Sequence, residues 1–263
     1  MLYPRLIPTL LVDHELHLVK TTSFGHRHYL GDPLNAAYVF SGYEVDELMV
    51  LDIDATPRGE AIPLRFVQAL SCFTTVPLTV GGGISSLAHI HDLLAFGVEK
   101  VALSSALTLD LLFLEQAANR FGSSTISVVL NVYRGANGDP FAAFGRPSHS
   151  NPGQSLLQLA HACEQAGAGE LVLHDTQREG TRTGYDVHLL AVLNDQLSIP
   201  LVALGGCGTQ AHIQELLTTT PLSGVAAGSL FSYAPSTRQV LLNYVDTSSW
   251  LQAQWPSLVE ACV

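Results

Sequence analysis

Two stretches of the chain could hold anions without basic side chains. Val76-Pro-Leu-Thr-Val-Gly-Gly-Gly-Ile84 and Ile199-Pro-Leu-Val-Ala-Leu-Gly-Gly-Cys207 each read as a buried β-strand running into a glycine-rich turn. Each is followed at the same spacing by Ala-His-Ile and a leucine pair (Ala88-His-Ile with Leu93-Leu94, Ala211-His-Ile with Leu216-Leu217), the pattern of an amphipathic helix. A glycine turn between a strand end and a helix start exposes several backbone N–H groups, which bind phosphate. The first predicted site combines Gly82 and Gly83 with Ser104 and Ser105. The second combines Gly205 and Gly206 with Gly228 and Ser229. A ligand with a phosphate at each end would fit such a pair.

The elements that must position these turns are apolar strands alternating with helical segments. Strands are expected at Leu6–Val12, Glu47–Ile53, Pro77–Val80, Lys100–Leu103, Ser127–Val132, Glu170–His174, Pro200–Leu204 and Gly224–Ala227. Eight such strands predict an α/β fold, a closed (β/α)8 TIM barrel. An open doubly wound sheet would need fewer strands or a defined edge. At an offset of 123 residues, Glu47-Leu48 falls on Glu170-Leu171, Asp52 on Asp175, Gly82-Gly83 on Gly205-Gly206 and Ala88-His-Ile on Ala211-His-Ile. One residue out of that register, Val101 and Ser105 fall on Val225 and Ser229. This repeat predicts two similar half-barrels of four strands, with the two phosphate sites facing each other across the C-terminal mouth. Residues 1–263 are read as one domain. The Gly-, Pro-, Ser- and His-rich segment 134–153 is expected to be a mobile loop. The tail after about residue 233, with Trp250 and Trp255, is expected to form a closing helix.

Residues two apart on a strand share a face. Arg5, Ile7, Thr9 and Leu11 therefore go together, as do Lys100, Ala102 and Ser104, and Glu170, Val172 and His174. If Ser104 faces the lumen, Lys100 faces it from the other end. Arg5, Glu47, Lys100 and Glu170 are then expected to form a ring of two cations and two anions at the bottom of the barrel, rather than scattered surface salt bridges.

Composition narrows the function classes. Of 263 residues, 47% are hydrophobic and 13% charged, which suits a deep core. A net charge of −11 argues against a nucleic-acid partner. No apolar run is long enough for a membrane span, and the N-terminal residues lack a signal-peptide pattern. Cys72, Cys163, Cys207 and Cys262 are scattered, as in a reduced, cytoplasmic protein. His26-Arg-His28 and His89-Ile-His91 lack a matching ligand cluster, so neither metal nor cofactor is expected.

Several motifs together resemble the cyclase subunit of imidazole glycerol phosphate synthase, a histidine-pathway barrel. They are Arg5-Leu-Ile-Pro8, Val19-Lys20, Gly31-Asp-Pro33, Asp46-Glu-Leu48 with Leu51-Asp-Ile53, Pro77–Ile84, Lys100-Val101, Phe121-Gly-Ser123, Gly167-Ala-Gly-Glu170, Glu179-Gly-Thr181 with Gly184-Tyr-Asp186, and Gly205-Gly206. The resemblance implies a glutaminase partner at the bottom of the barrel. It also implies an ammonia gate at Arg5, Glu47, Lys100 and Glu170, a lumen for ammonia, and a bisphosphate substrate at the mouth. Gly180 joins the phosphate-binding residues on the same ground, and Lys20 and Asp52 match substrate-proximal positions.

The family's two proton-transfer aspartates do not carry over. The family's Cys-Leu-Asp-Val is here Thr9-Leu-Leu-Val12, placing Leu11 at the first position. Its Ile-Asp-Ala-Lys is here Leu130-Asn-Val-Tyr133, placing Asn131 at the second. Leucine cannot transfer a proton, and asparagine is no useful acid or base near neutral pH. Ser104 and Leu204 also stand where the family has asparagine and serine. Leu10-Leu-Val12, Lys20-Thr21, Val45–Thr56 and Ala226–Phe231 resemble a side branch associated with surface-polysaccharide pathways. That likeness implies ammonia delivery to a sugar amidotransferase that makes acetamidino groups. A cyclase with a relocated acid or base is the alternative, with Asn131, Asp52 and His174 as catalytic candidates. A non-catalytic barrel that only binds a glutaminase is a third reading.

Overall fold

A computed structural model describes residues 3–108, 111–135, 137–145, 154–234 and 239–244. Its strands are β1 (Arg5–Val12), β2 (Leu18–Thr21), β3 (Arg27–Gly31), β4 (Leu48–Asp52), β5 (Leu78–Gly81) and β6 (Lys100–Leu103), then β7 (Ile126–Arg134), β8 (Pro140–Ala143), β9 (Glu170–Asp175), β10 (Leu201–Leu204) and β11 (Gly224–Ala227). β1, β4, β5, β6, β7, β9, β10 and β11 pair in that order, and β11 returns to β1 in parallel. The result is the closed eight-stranded parallel barrel of a (β/α)8 fold. Its strands are apolar on both faces because one face meets the helices and the other meets the lumen.

The two halves repeat in detail. Leu11 pairs in register with Leu51 and Val12 with Asp52, while Asn131 pairs with His174 and Val132 with Asp175. Each half also carries an antiparallel extension on its first strand, β2 on β1 and β8 on β7. The helices Leu87–Ala95 and Gln210–Thr219 occupy the two positions expected from the repeated Ala-His-Ile.

Three strands differ from the sequence expectation. The β2–β3 hairpin has no clean alternation, since β2 is buried throughout and β3 is mostly exposed. β8 lies inside the segment expected to be a mobile loop, where it pairs with β7 and buries Ala142 and Ala143. Residues 146–153 lie outside the described residues. So do residues 245–263 with Trp250, Trp255, Cys262 and most of the expected closing helix. Residues 239–244 are not helical. Val240 bridges Tyr233, and the Tyr244 ring stacks 5.6 Å from Phe231. Cys163 and Cys207 are buried thiols and Cys72 is exposed. Among the described residues, no helix is long and apolar enough to cross a membrane.

The core has two layers. The outer layer lies between strands and helices. The inner one fills the lumen with Ile7, Met49, Ala102, Val129, Val172, Val202, Leu204 and Ala226. Met49 is fully buried there. Met49→Ala should cost about 2–5 kcal/mol in urea denaturation, because the surrounding barrel cannot collapse onto the space left. A loss below about 1 kcal/mol would mean that the lumen is not packed as a core.

Candidate functional site

At the bottom of the barrel the four expected charges meet. The two terminal guanidinium nitrogens of Arg5 donate separately to Glu47 Oε2 and Glu170 Oε2. Lys100 Nζ lies 2.8 Å from Glu47 Oε2 and 3.6 Å from Glu170 Oε2. The remaining carboxylate oxygens accept from hydroxyls, Glu47 Oε1 from Thr79 at 2.6 Å and Glu170 Oε1 from Ser127 at 3.1 Å. Burial alone would lower the Arg5 pKa, and the two carboxylates, Glu170 foremost, more than reverse that. Above this ring the lumen is lined by the apolar layer, and above that it opens into the mouth.

The mouth is a cavity of about 660 Å³. The first predicted anion-binding set, Gly82, Gly83, Ser104 and Ser105, lines it together with Leu11, Asn131 and His174. Gly83 has φ +63°, and a β-carbon there would lie 1.8 Å from the Glu60 carbonyl oxygen, so the turn admits only glycine.

The second set is divided. Gly180 and Ser229 line a neighbouring cavity of about 220 Å³ with Lys20, Thr21 and Arg182. The hydroxyls of Ser229 and Thr21 are buried without a hydrogen-bond partner among the described residues. Gly205, Gly206 and Gly228 line neither cavity. Gly205 and Gly206 press against the carbonyls of Asp175 and Gly184, and Lys20 Nζ occupies the space a β-carbon of Gly228 would need. The first expected set thus lines the mouth, and Gly180 and Ser229 of the second line the other cavity.

Lys20 is drawn inward by a carboxylate that strand parity could not reveal. Its Nζ lies 3.0 Å from Glu179 Oε1, and His174 Nε2 lies 3.4 Å from Glu179 Oε2. All three residues are buried. Burial pushes the Glu179 carboxyl up, but Lys20 and the His174 hydrogen bond together outweigh it and hold it at about 2. Glu179 sits in the loop after β9, where period-two reasoning does not apply. Its only sequence signal is the Glu179-Gly-Thr181 motif.

The two strand-end aspartates are engaged. Asp52 accepts from Arg58 at 2.7 Å and from the Asp54 amide at 2.9 Å. Asp175 accepts from Arg134 at 3.0 Å and from the amides of Gln177 and Arg178, both at 3.2 Å. Each orders the loop that follows it. Asn131 Nδ2 and the Tyr133 hydroxyl both donate to the Gly145 carbonyl, at 2.7 and 2.6 Å. Ser104 Oγ accepts from the Gly145 amide at 3.1 Å. The residues after β8 are thereby latched onto the mouth. A carboxylate at position 131 could not donate to that carbonyl. Asn131 Oδ1 is buried without a partner among the described residues.

Among the described residues, the ligand atoms close enough to hold a metal ion are those of Asp13, Glu15 and His17 on the rim, in none of the histidine pairs noted in the sequence.

Comparison with known proteins gives a consistent result. The family described as histidine biosynthesis protein matches residues 5–237. A Leptospira borgpetersenii protein provisionally named imidazole glycerol phosphate synthase subunit HisF is 36% identical over 244 residues, 93% of this chain and 96% of its own length. A Pseudomonas aeruginosa protein, provisionally named subunit hisF2 of the same synthase, is 35% identical over 248 residues, 94% of this chain and 98% of its own. The imidazole glycerol phosphate synthase subunit HisF of Lactococcus lactis subsp. cremoris is 33% identical over 237 residues, 90% of this chain and 91% of its own.

A carboxyl held at about 2 against an ordinary 4.5 stabilises the fold fully above about pH 4.5, and that contribution disappears as pH falls toward 2. Lys20→Met leaves Glu179 as a buried anion without its ammonium and should cost about 3–5 kcal/mol near neutral pH. Unfolding measured down to about pH 3 should show the gap to wild type narrowing as the variant's Glu179 takes up a proton. A gap independent of pH would contradict the pairing.

Proposed function

The chain belongs to the histidine biosynthesis protein family, and from that premise we propose that it is the barrel subunit of a glutamine-dependent synthase. A glutaminase docked at the bottom of the barrel supplies ammonia, which passes the ring of Arg5, Glu47, Lys100 and Glu170, crosses the lumen and meets a phosphorylated substrate at the mouth. The observation that carries this reading is the stacking of three layers on the strands' inner faces. On β9 alone, Glu170, Val172 and His174 belong in turn to ring, lumen and mouth. An apolar lumen favours neutral ammonia over ammonium, because burial penalises the charged form. The glycine turn at Gly82-Gly83 and the free hydroxyls of Thr21 and Ser229 supply groups for phosphate.

The finer reading is ammonia delivery for acetamidino-sugar formation in surface-polysaccharide synthesis, with a sugar amidotransferase as further partner. Its support is the loss of the family's acid–base pair. Leu11 has no proton to give, and Asn131 latches Gly145. The second reading is formation of imidazole glycerol phosphate for histidine biosynthesis. Its support is the naming of the relatives and the titratable His174 in the mouth. A barrel that merely binds a glutaminase would have no use for a mouth cavity and a second one beside it lined by Lys20, Thr21 and Ser229.

The purified chain, given ammonium chloride and the bisphosphate precursor of imidazole glycerol phosphate, should bind the bisphosphate without converting it. Conversion would replace the first reading by the second. Failure to bind would favour the non-catalytic barrel.

A further inference from the structure

The strand positions that face each other where the lumen meets the mouth differ between the two half-barrels. Leu11 and Leu51 pair in the first half where Asn131 and His174 pair in the second. His174 also pairs in register with Leu204 of β10, which belongs to the lumen layer. Its ring packs 5.1 Å from the Phe24 ring, and it lines the mouth cavity. The histidine thus stands where the lumen meets the mouth.

Its orientation is set by charge. Glu179 is fully buried and ionised, so it can only accept hydrogen bonds. The contact with Nε2 therefore places the imidazole proton on Nε2. Nδ1, which has no hydrogen-bond partner among the described residues, keeps its lone pair. A carboxylate fixing the tautomer of a histidine from behind is a general way to aim the other nitrogen at a reacting atom. Lys20 completes the arrangement as the counter-ion of Glu179. The neighbouring Asp175 carboxylate is turned away to Arg134 and Arg178.

Resting on the ammonia-conduit reading, we propose that His174 Nδ1 is the proton acceptor when ammonia adds to a carbonyl carbon of the phosphorylated substrate, with Glu179 and Lys20 as its positioning residues. The ammonia lone pair forms the N–C bond, and the C=O π pair moves onto oxygen. The new, positively charged nitrogen gives one proton to Nδ1, and Glu179 stabilises the imidazolium. Nδ1–H then returns the proton to the oxygen, leaving a neutral carbinolamine and a neutral imidazole.

The test uses the full chain labelled with ¹⁵N-histidine and long-range ¹H–¹⁵N NMR, with His174 assigned through His174→Gln. His174 should show a single Nε2–H tautomer in the wild type. Glu179→Gln should lose that single-tautomer signature. Ammonium chloride, compared with sodium chloride at equal ionic strength, should shift the Nδ1 signal of His174. An Nδ1–H tautomer in the wild type overturns the proposal, as does a tautomer untouched by Glu179→Gln or an Nδ1 signal indifferent to ammonium. None of these readouts needs a glutaminase or a turning-over substrate. Their failure leaves the conduit reading standing, and failure of the conduit leaves the tautomer result standing.

Discussion

The structure depends on two buried carboxylates at equivalent positions of its two halves. Glu47 and Glu170 enter the barrel floor at the same point of the repeat, and burying a carboxylate there is costly unless a cation reaches it. Arg5 answers both, with one nitrogen on each. Because Arg5 opens β1, the strand that closes the barrel against β11, the floor ties the closing strand to both half-barrels. Lys100 and the hydroxyls of Thr79 and Ser127 satisfy what Arg5 leaves. Each carboxylate oxygen is engaged, and the ring forms an ordered polar floor beneath an apolar lumen.

The upper end obeys a different logic. The floor repeats its carboxylates but takes both cations from the first half, and the mouth differs further between the halves. At matched places stand Leu11 and Asn131, then Leu51 and His174. At these register positions the first half is apolar and the second carries groups that hydrogen-bond. Asn131 donates to the Gly145 carbonyl, as an aspartate carboxylate could not, and His174 contacts Glu179. The glycine turns of the two halves therefore flank a centre whose facing strand positions differ.

What could be read from the sequence follows from periodicity. The eight barrel strands, the lumen-facing sets and the four-charge ring all depend on residues two apart sharing a face, and that rule holds wherever a strand is regular. It fails in loops. Glu179 lies beyond the end of β9, so nothing in the spacing announced that it would draw Lys20 inward beside Gly228. That ion pair places the Lys20 ammonium against Gly228. β3 was hidden because it is mostly exposed, and β8 because its sequence neighbours are rich in glycine, serine and proline. Leu11 and Asn131 were legible only as departures from a family pattern. The latch on Gly145 that makes sense of Asn131 needed the third dimension.

The most direct measurement of the central claim is isotopic. The chain assembled with its glutaminase is supplied with glutamine carrying ¹⁵N in the side-chain amide, in a solution containing excess unlabelled ammonium, and the aminated product is analysed by mass spectrometry. Ammonia that travels from the ring through the lumen to His174 never mixes with the solution. The product nitrogen should then retain the full ¹⁵N enrichment of the glutamine. Enrichment diluted to that of the bulk ammonium would contradict a conduit through the barrel.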